Sequence, residues 1–562
     1  MHADIALIHP PSIYDFRDRN IKSGPISDVI PSTPVFEMYP MGFVSMLNHI
    51  RHYGYSGRIC NIASRMVDSK RFDVEKYIKS IDTDLFGIDL HWLPHAQGAI
   101  SIARVIKRLR PDAEVLMGGF SASYFWKDIM KNYPEIDYLL VGDFQEDNLR
   151  MLLDELYGSR DFPSVPALAY RDGDNVKKNN PKYDENVMKN EKLDYSFLMK
   201  NAIKYADVKG HMPYTDWINN PEAVTMIEHG CEFNCAFCGG SNFSYKNNFF
   251  NASPLFRSPR QIAEEIYSAY EVLGAPVFVV GDINQGGEKF YKSLFREIKE
   301  MGIDVPLLTE YFKPPSLAYL QELSKNFPDF TAEISPESSN QNIREKNGRS
   351  YTNTDLEKSI ENAEKLGCKK FDVYFTLGIS GQGTEELNYD IQYAKNLMLR
   401  QKDKNMKVYS FISPLTPFID PGSLIYEMPE KYGFKITTKT LSGYFDLLDR
   451  GKNWVEFLNY ETEWMTKKDI EKNTYYAEIE MMKTRIESGI ISKKEGEMII
   501  ENVMRYANGD DYIPNAKLNS HLSYINKDLE WSNKHKVTKT SILVYWYSKL
   551  NKIEKEFEKF SS

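Results

Sequence analysis

The sequence predicts an α/β protein in three parts: a doubly wound parallel sheet over residues 1–170, six strand–helix units over residues 218–413, and a mostly α-helical region over residues 414–562. Three observations predict it. Apolar runs alternate with helix-period stripes through the first part, which is the pattern of βαβ units. The alternation stops across a polar stretch, residues 171–217, and then resumes. Where it resumes, three of the five cysteines fall in one loop, Cys231-Glu-Phe-Asn-Cys235-Ala-Phe-Cys238.

The totals bound the function. A chain of 562 residues, 42% hydrophobic and 27% charged, is an ordinary globular protein of several domains. The net charge of −9 and the lack of a long basic run speak against a nucleic-acid partner. Five cysteines in this length make no disulfide framework, so a reducing compartment is expected. The first residues carry no basic stretch followed by an apolar core, so no signal peptide is expected. No run of about 18 apolar residues exists, so no transmembrane segment is expected. A cytoplasmic location follows from these readings.

Residues 5–9 read as a strand ending at Pro10-Pro11, and residues 42–52 as a helix with Phe43, Met46 and Leu47 on one stripe. Strands follow at 57–62 and 85–90, then a helix over 96–109. A strand at 114–117 closes at Gly118-Gly119, and one at 138–141 closes at Gly142 before a helix over 146–156. Ligands of such sheets bind beyond the carboxyl ends of the strands. Pro10-Pro11, His91-Trp92, Gly118-Gly119-Phe120-Ser121 and Gly142-Asp143 would all stand on that rim. No G-x-G-x-x-G follows the first strand, so a dinucleotide is not expected.

Residues 171–217 show no sustained period and read as a loop-rich linker. Beyond it, strands are expected at 224–228, 276–280, 305–308, 330–334, 371–377 and 407–412. Helices are expected at 259–273, 289–301, 315–325, 354–366 and 385–399. Six strands with helices between them suit a partial (βα)6 barrel, whose chemistry sits at the carboxyl ends of its strands. The rigid, turn-rich segment from Pro414 to Ser423 would close the barrel's open side. Helices are then expected at 438–448, 467–487, 492–507 and 539–560, with Trp454, Trp464, Trp531 and Trp546 in or beside them as core. No internal repeat or low-complexity block appears.

Three thiolates at C-x3-C-x2-C can ligate three irons of a four-iron cluster from one tight loop, leaving the fourth iron open. Zinc commonly wants two C-x-x-C pairs, and Cys60 and Cys368 are too far apart in sequence to form the second. A zinc site or three unrelated thiols are the blander readings.

The spacing, with Phe237 before the last cysteine, resembles the radical S-adenosylmethionine (SAM) enzymes. The resemblance implies a 4Fe-4S cluster on Cys231, Cys235 and Cys238 whose open iron is chelated by SAM. Reductive cleavage would then give a 5′-deoxyadenosyl radical that abstracts a substrate hydrogen. It also implies SAM contacts at the strand ends. Gly281 and Asp282 match the position that takes the SAM ammonium; Ser335 and Glu337 would bond its ribose or methionine part. Arg344 would pair with its carboxylate, and Gly378 and Gly381 would lie along adenine. Each of these residues also has a reading as a helix cap or ion pair.

The first part resembles the flavodoxin-like cobalamin-binding domain that precedes the TIM-like barrel in one large subgroup of these enzymes. The matching residues are Pro10 and Pro11, Tyr39-Pro-Met-Gly42, Gly118-Gly119-Phe120-Ser121 and Val141-Gly142-Asp143. His91 and Trp92 join them on the rim. Asp89-Leu-His91 imitates the start of D-x-H-x-x-G, but Pro94 stands where its glycine would be. His91 or His95 is then either a cobalt ligand, a pocket residue or a cap. The resemblance implies methyl transfer from methylcobalamin to a small-molecule, lipid or peptide substrate. It further implies an external one-electron reductant of the flavodoxin or ferredoxin type and an oxygen-poor setting. Ring-forming or rearranging radical chemistry, an empty cobalamin domain, a non-catalytic iron–sulfur or cobalamin sensor and a zinc-stapled binding protein are the alternatives.

Overall fold

The computed structural model describes residues 1–19, 21, 35–173, 175–182, 187–215, 217, 222–250, 253–302, 304–415 and 417–507. The helix expected over 539–560, with Trp531 and Trp546, lies outside the described residues.

The first sheet contains β1 (Ile5–His9), β2 (Gly57–Asn61), β3 (Leu85–Asp89), β4 (Glu114–Gly118), β5 (Tyr138–Leu140), β6 (Leu168–Asp172) and β7 (Asn175–Lys178), in the order β2-β1-β3-β4-β5-β6-β7. The first five run parallel. The order 2-1-3-4-5 is that of flavodoxin-like folds, with the switch point between β1 and β3. Strands β1, β2, β3 and β5 are buried along their whole length, as helices on both faces demand. The helix Ala96–Leu109 lies so close to the turn after β1 that a Cβ on Gly98 would stand 1.7 Å from the Pro11 carbonyl oxygen.

Three features differ from the sequence reading. The sheet does not stop at residue 170: β6 and β7 form an antiparallel hairpin that extends it to Lys178. β7 is an exposed edge strand of polar composition, so it shows no apolar alternation to read. The linker also holds a helix, Tyr195–Lys204, whose N-cap Asp194 accepts from the Phe197 amide. Four short helices, Ile62–Asp68, Val74–Ser80, Phe120–Tyr124 and Trp126–Asn132, were not anticipated; two turns or fewer carry too little periodicity.

After β7 come β8 (Ala223–Met226), β9 (Glu228–His229), β10 (Leu255–Phe256), β11 (Val277–Val280), β12 (Leu307–Tyr311), β13 (Phe330–Glu337), β14 (Lys370–Leu377) and β15 (Lys407–Pro414). Six of them form an all-parallel sheet in the order β15-β14-β13-β12-β11-β8, while β9 and β10 pair antiparallel beside it. Its edges, β8 and β15, leave a partial barrel. The intervening helices start where the sequence supplies caps: Ser258 for Pro259–Leu273, Ser316 for Leu317–Asn326 and a Thr352–Asp355 capping box for Asn353–Lys365.

The C-terminal region touches both units. The helix Lys467–Glu487 packs on β15 and on the helix Thr384–Leu399. The helix Leu441–Arg450 packs on Ala96–Leu109, with Gln97 donating to Asp449 at 3.0 Å. A small pair, β16 (Phe434–Ile436) with β17 (Tyr460–Thr462), lies in the same region.

Candidate functional site

The cysteine loop leaves the barrel at the carboxyl end of β8. Gly230, at φ 71°, makes the turn, and a Cβ there would meet the Ser253 hydroxyl at 2.3 Å. Ser253 Oγ then accepts from the Cys231 amide and donates to the Cys231 carbonyl, both at 3.0 Å. On the far side the Ala236 amide donates to the Asn347 carbonyl. Gly348 approaches so closely that a Cβ would lie 2.8 Å from the Cys235 Cα. Phe237 packs against the core.

The three thiols share one environment. Burial pushes Cys231 up to about 12, with Glu228 and Cys235 adding to the shift. Burial likewise raises Cys235 and Cys238, and the charges of Cys235 and Cys231 raise Cys238 further. A cationic centre bound by the loop would hold these thiols as thiolates. Donors already face one of them: the Phe233 amide and Gln285 Nε2 each point at Cys231 Sγ from 3.4 Å. Three soft sulfur donors in one loop, one of them faced by two N–H groups, fit an iron–sulfur cluster. Among the described residues, no group of three His, Cys, Asp or Glu side chains is already placed to hold a metal ion.

The strand ends carry some of the expected residues in altered roles. Gly281 follows β11 at φ 105° and donates its amide to Glu310. Asp282 is fully buried, and its two oxygens accept from the Asn284 and Phe312 amides at 2.9 and 3.0 Å. Its carboxylate is thus committed to backbone. The acid that stands beside it is Glu228, on β9, which accepts from the Asp282 amide and from Gln285 Nε2. Burial, then the Asp282 charge, pushes Glu228 up to about 9. Ser335 and Glu337 lie at the end of β13, where the register with β14 shifts between Ile334 and Glu337 and Glu337 holds φ 67°.

Arg344 is fully buried, and its guanidinium donates to the Ser338 and Tyr351 carbonyls at 2.9 and 2.8 Å and to Asn353. The guanidinium beside the cysteine loop belongs to Arg349, whose Nε and Nη2 lie 3.2 Å from Glu337 and whose Nη1 donates to the Phe312 carbonyl. Burial opposes its charge, but Cys235 and Glu337 outweigh burial and raise its pKa. Gly378 and Gly381 hold φ 78° and 87° in the turn after β14, where Gln382 accepts from the Gly378 amide.

A cavity of about 510 Å³ opens between the first sheet and the barrel. Of the expected rim, His91, Trp92, Gly118, Gly119, Phe120 and Gly142 line it. Pro10, Pro11 and Ser121 do not. The two prolines are buried under the helix Ala96–Leu109, and Ser121 Oγ donates to the His91 carbonyl, so it holds the rim from behind. Gly119 has φ 109°, and a Cβ on it would lie 2.6 Å from the His91 Cα. His91 stacks on Phe120, and Phe120 on Phe249, at ring separations of 4.7 and 4.3 Å. Leu7, Gly87, Leu116, Leu140 and Leu149 extend the cavity as an apolar slot into the first sheet. Backbone-only rims, stacked rings and an apolar slot fit a broad cofactor such as a corrin with its tail.

The two histidines separate. His91 faces the cavity, and burial holds its pKa down, which keeps the imidazole neutral. His95 is fully buried, stacks on Phe36 and donates Nε2 to the Phe36 carbonyl at 2.9 Å. Burial, then the neighbouring His9, lowers it to about 4. It does not line the cavity and acts as packing.

Sequence reasoning missed three contributors. Glu228 and His229 precede the motif on a two-residue strand that has no periodicity of its own. Glu191 comes from the linker, and lines the cavity with them. On the barrel side, Glu222, Glu333 and a Lys370–Asp372 pair at 2.6 Å complete the wall.

Comparisons with known proteins agree with this fold. Residues 226–394 match the model of the radical SAM superfamily, and residues 28–149 that of the B12-binding domain. An uncharacterised methyltransferase of Pyrococcus horikoshii is 23% identical over 389 residues, 69% of this chain and 78% of that protein. The radical SAM methyltransferase TsrM of Kitasatospora setae, solved with cobalamin and a [4Fe-4S] cluster, superimposes at TM-score 0.58 with 14% identity, covering 86% of this chain and 89% of its own. The cobalamin-dependent SAM radical enzyme OxsB, solved with aqua-cobalamin and SAM, gives TM-score 0.52 with 12% identity over 98% of this chain and 84% of its own. Among the described residues no helix is long and apolar enough to cross a membrane.

Proposed function

The chain belongs to the radical SAM enzymes that carry a B12-binding domain ahead of the barrel, and from that membership we propose that it methylates an unactivated carbon of a substrate held in the cavity. Its cofactors are a 4Fe-4S cluster, SAM and cobalamin. When bound, the cluster and SAM supply a 5′-deoxyadenosyl radical, and cobalamin supplies a transferable methyl group.

One observation carries the reading. A single cavity is lined both by the glycine rim of the first sheet and by Glu228, His229 and Gly230, the residues that lead into Cys231. Two reactive centres bound at those places would face one shared, largely enclosed space. Cys231, Cys235 and Cys238 hold the cluster. Glu228 and Glu337 present oxygens beside it for the polar groups of SAM, and Arg349 places a cation against Glu337. His91, Trp92, Phe120 and Gly118-Gly119 form the face toward the corrin. Phe120, stacked on Phe249, puts an apolar ring on the cavity wall, which favours the exclusion of water that a radical needs.

The methyltransferase named among the relatives supports transfer of a methyl group over ring formation. The electron comes from an external flavodoxin- or ferredoxin-type carrier in a reducing, oxygen-poor cytoplasm, a reading supported by the unpaired cysteines.

The test is anaerobic reconstitution with iron, sulfide, hydroxocobalamin, a chemical reductant and SAM bearing a trideuterated methyl group. The expected products are 5′-deoxyadenosine and S-adenosylhomocysteine, with the label found on cobalamin. A protein that carries its cluster and corrin yet yields neither product overturns the proposal.

A further inference from the structure

His229 stands two residues before Cys231 and is gripped on both ring nitrogens. Its Nδ1 lies 2.6 Å from Asp143 Oδ2 and its Nε2 lies 2.6 Å from Glu191 Oε2. Asp143 belongs to the Gly142–Phe144 turn of the first sheet, and Glu191 to the linker. The Phe144 ring packs 4.5 Å from the imidazole.

Each carboxylate is anchored in turn. Asp143 also accepts from the Tyr245 hydroxyl at 2.6 Å, and Tyr245 sits on the helix Asn242–Asn248 that follows the cysteine loop. Glu191 lies 3.5 Å from the fully buried Arg257, which also bonds both oxygens of Glu265 and the Met226 carbonyl at the end of β8. Gly142, Asp143, Glu191, His229 and Tyr245 all line the cavity.

We propose that His229 is a positioning residue that ties the corrin-side turn to the cysteine loop, so that filling the cavity is felt at the cluster. The inference rests on the assignment of cavity and loop to cobalamin and cluster. Only Gly230 separates His229 from Cys231, and Asp143 follows directly on the Gly142 rim. A displacement of that rim by a bound corrin would therefore reach the first cluster ligand through two short, charge-assisted contacts. Such contacts are directional and strong in a buried setting, so they transmit displacement where apolar packing would slip. A brace that merely held the fold would join the same elements without linking one ligand's occupancy to the other's.

The test compares SAM affinity at the reduced cluster, read from its electron paramagnetic resonance signal, with and without hydroxocobalamin. In the unaltered protein, cobalamin is expected to change the apparent SAM Kd by about fivefold or more, and by less than about twofold in His229→Phe, with both ligands still bound. His229→Phe keeps a ring against Phe144 and removes both contacts. Asp143→Asn keeps the shape and removes one charge, and decides the matter should the first variant fail to fold. Full coupling in a folded variant, or none in the unaltered protein, overturns the proposal. Failure of the unaltered protein to take up cobalamin or a cluster overturns the site assignment itself, and the tie with it.

Discussion

Arg349 sets Nε and Nη2 each 3.2 Å from one oxygen of Glu337, and both side chains are buried beside the cysteine loop. A buried pair broken on one side leaves an uncompensated charge. Arg349→Met is expected to destabilise the apo protein by about 3–5 kcal/mol. Replacing both partners removes the stranded charge, so Arg349→Met with Glu337→Leu should recover most of that loss. Denaturant unfolding of the two variants checks it, and equal losses in both would contradict the pairing.

The Arg344 and Arg349 positions show how far a sequence reaches. The family's pattern placed a cation after β13, and both arginines lie there, five residues apart. Which one faces the site depends on where the helix Gln341–Lys346 and the Tyr351 carbonyl take up donors, and no local pattern records that. The strand ends were legible because long parallel strands read as apolar runs, and the cysteine motif because its chemistry is local. Pro10-Pro11 follows the carboxyl end of β1 as read, but its packing against Gly98 could not be read because Gly98 is distant in sequence. Glu191 and Asp143 gain their meaning only once the linker folds back over the loop.

Cys235 supplies one of the three sulfurs proposed to hold the cluster, and a cluster held by three thiolates should not survive the loss of one. Cys235→Ala is expected to abolish the cluster's visible absorption, its iron content and all SAM cleavage. Cys368→Ala, at a buried thiol that donates to the Lys370 carbonyl, should keep the iron. Iron analysis after anaerobic reconstitution separates the two.

Gly119 adopts φ 109° and lies against the His91 backbone. An alanine there meets both a left-handed backbone and a Cβ contact of 2.6 Å with the His91 Cα. The strain is of order 1–3 kcal/mol. Part of it would be relieved by moving the rim that faces the corrin. Gly119→Ala should therefore weaken cobalamin binding about tenfold or more, since 1.4 kcal/mol is a factor of ten. Titration followed in the visible spectrum measures this.

Glu146 lines the cavity, and burial, then the Glu191 charge, pushes its carboxyl up to about 7. An unfolded glutamate titrates near 4.3. The native state therefore holds a proton that the unfolded chain has released, and stability falls as pH rises between those values. Its contribution is fully present below about pH 4.3 and gone above about pH 7. Glu146→Gln keeps the contact with Ser45 and should flatten that part of the pH profile, by up to about 3 kcal/mol. Unfolding of the apo protein at pH 5 and pH 8 gives the comparison, and an unchanged slope would count against a protonated Glu146.

Gln285 links the strand-end acid to the first cluster ligand: Nε2 reaches Glu228 at 2.9 Å and Cys231 Sγ at 3.4 Å, while Oε1 accepts from the Glu232 amide at 2.7 Å. An N–H pointed at a cluster sulfur stabilises the more negative, reduced state and so raises the potential. Gln285→Leu removes that donor and also leaves the Glu232 amide to solvent, which is affordable because Glu232 is exposed. A hydrogen bond worth about 1 kcal/mol corresponds to a one-electron shift of about 40 mV. The variant's cluster should therefore be harder to reduce by about that much, with iron content retained. Spectroelectrochemical titration measures it. A potential that stays put or rises would show that the amide does not face the sulfur in the loaded protein.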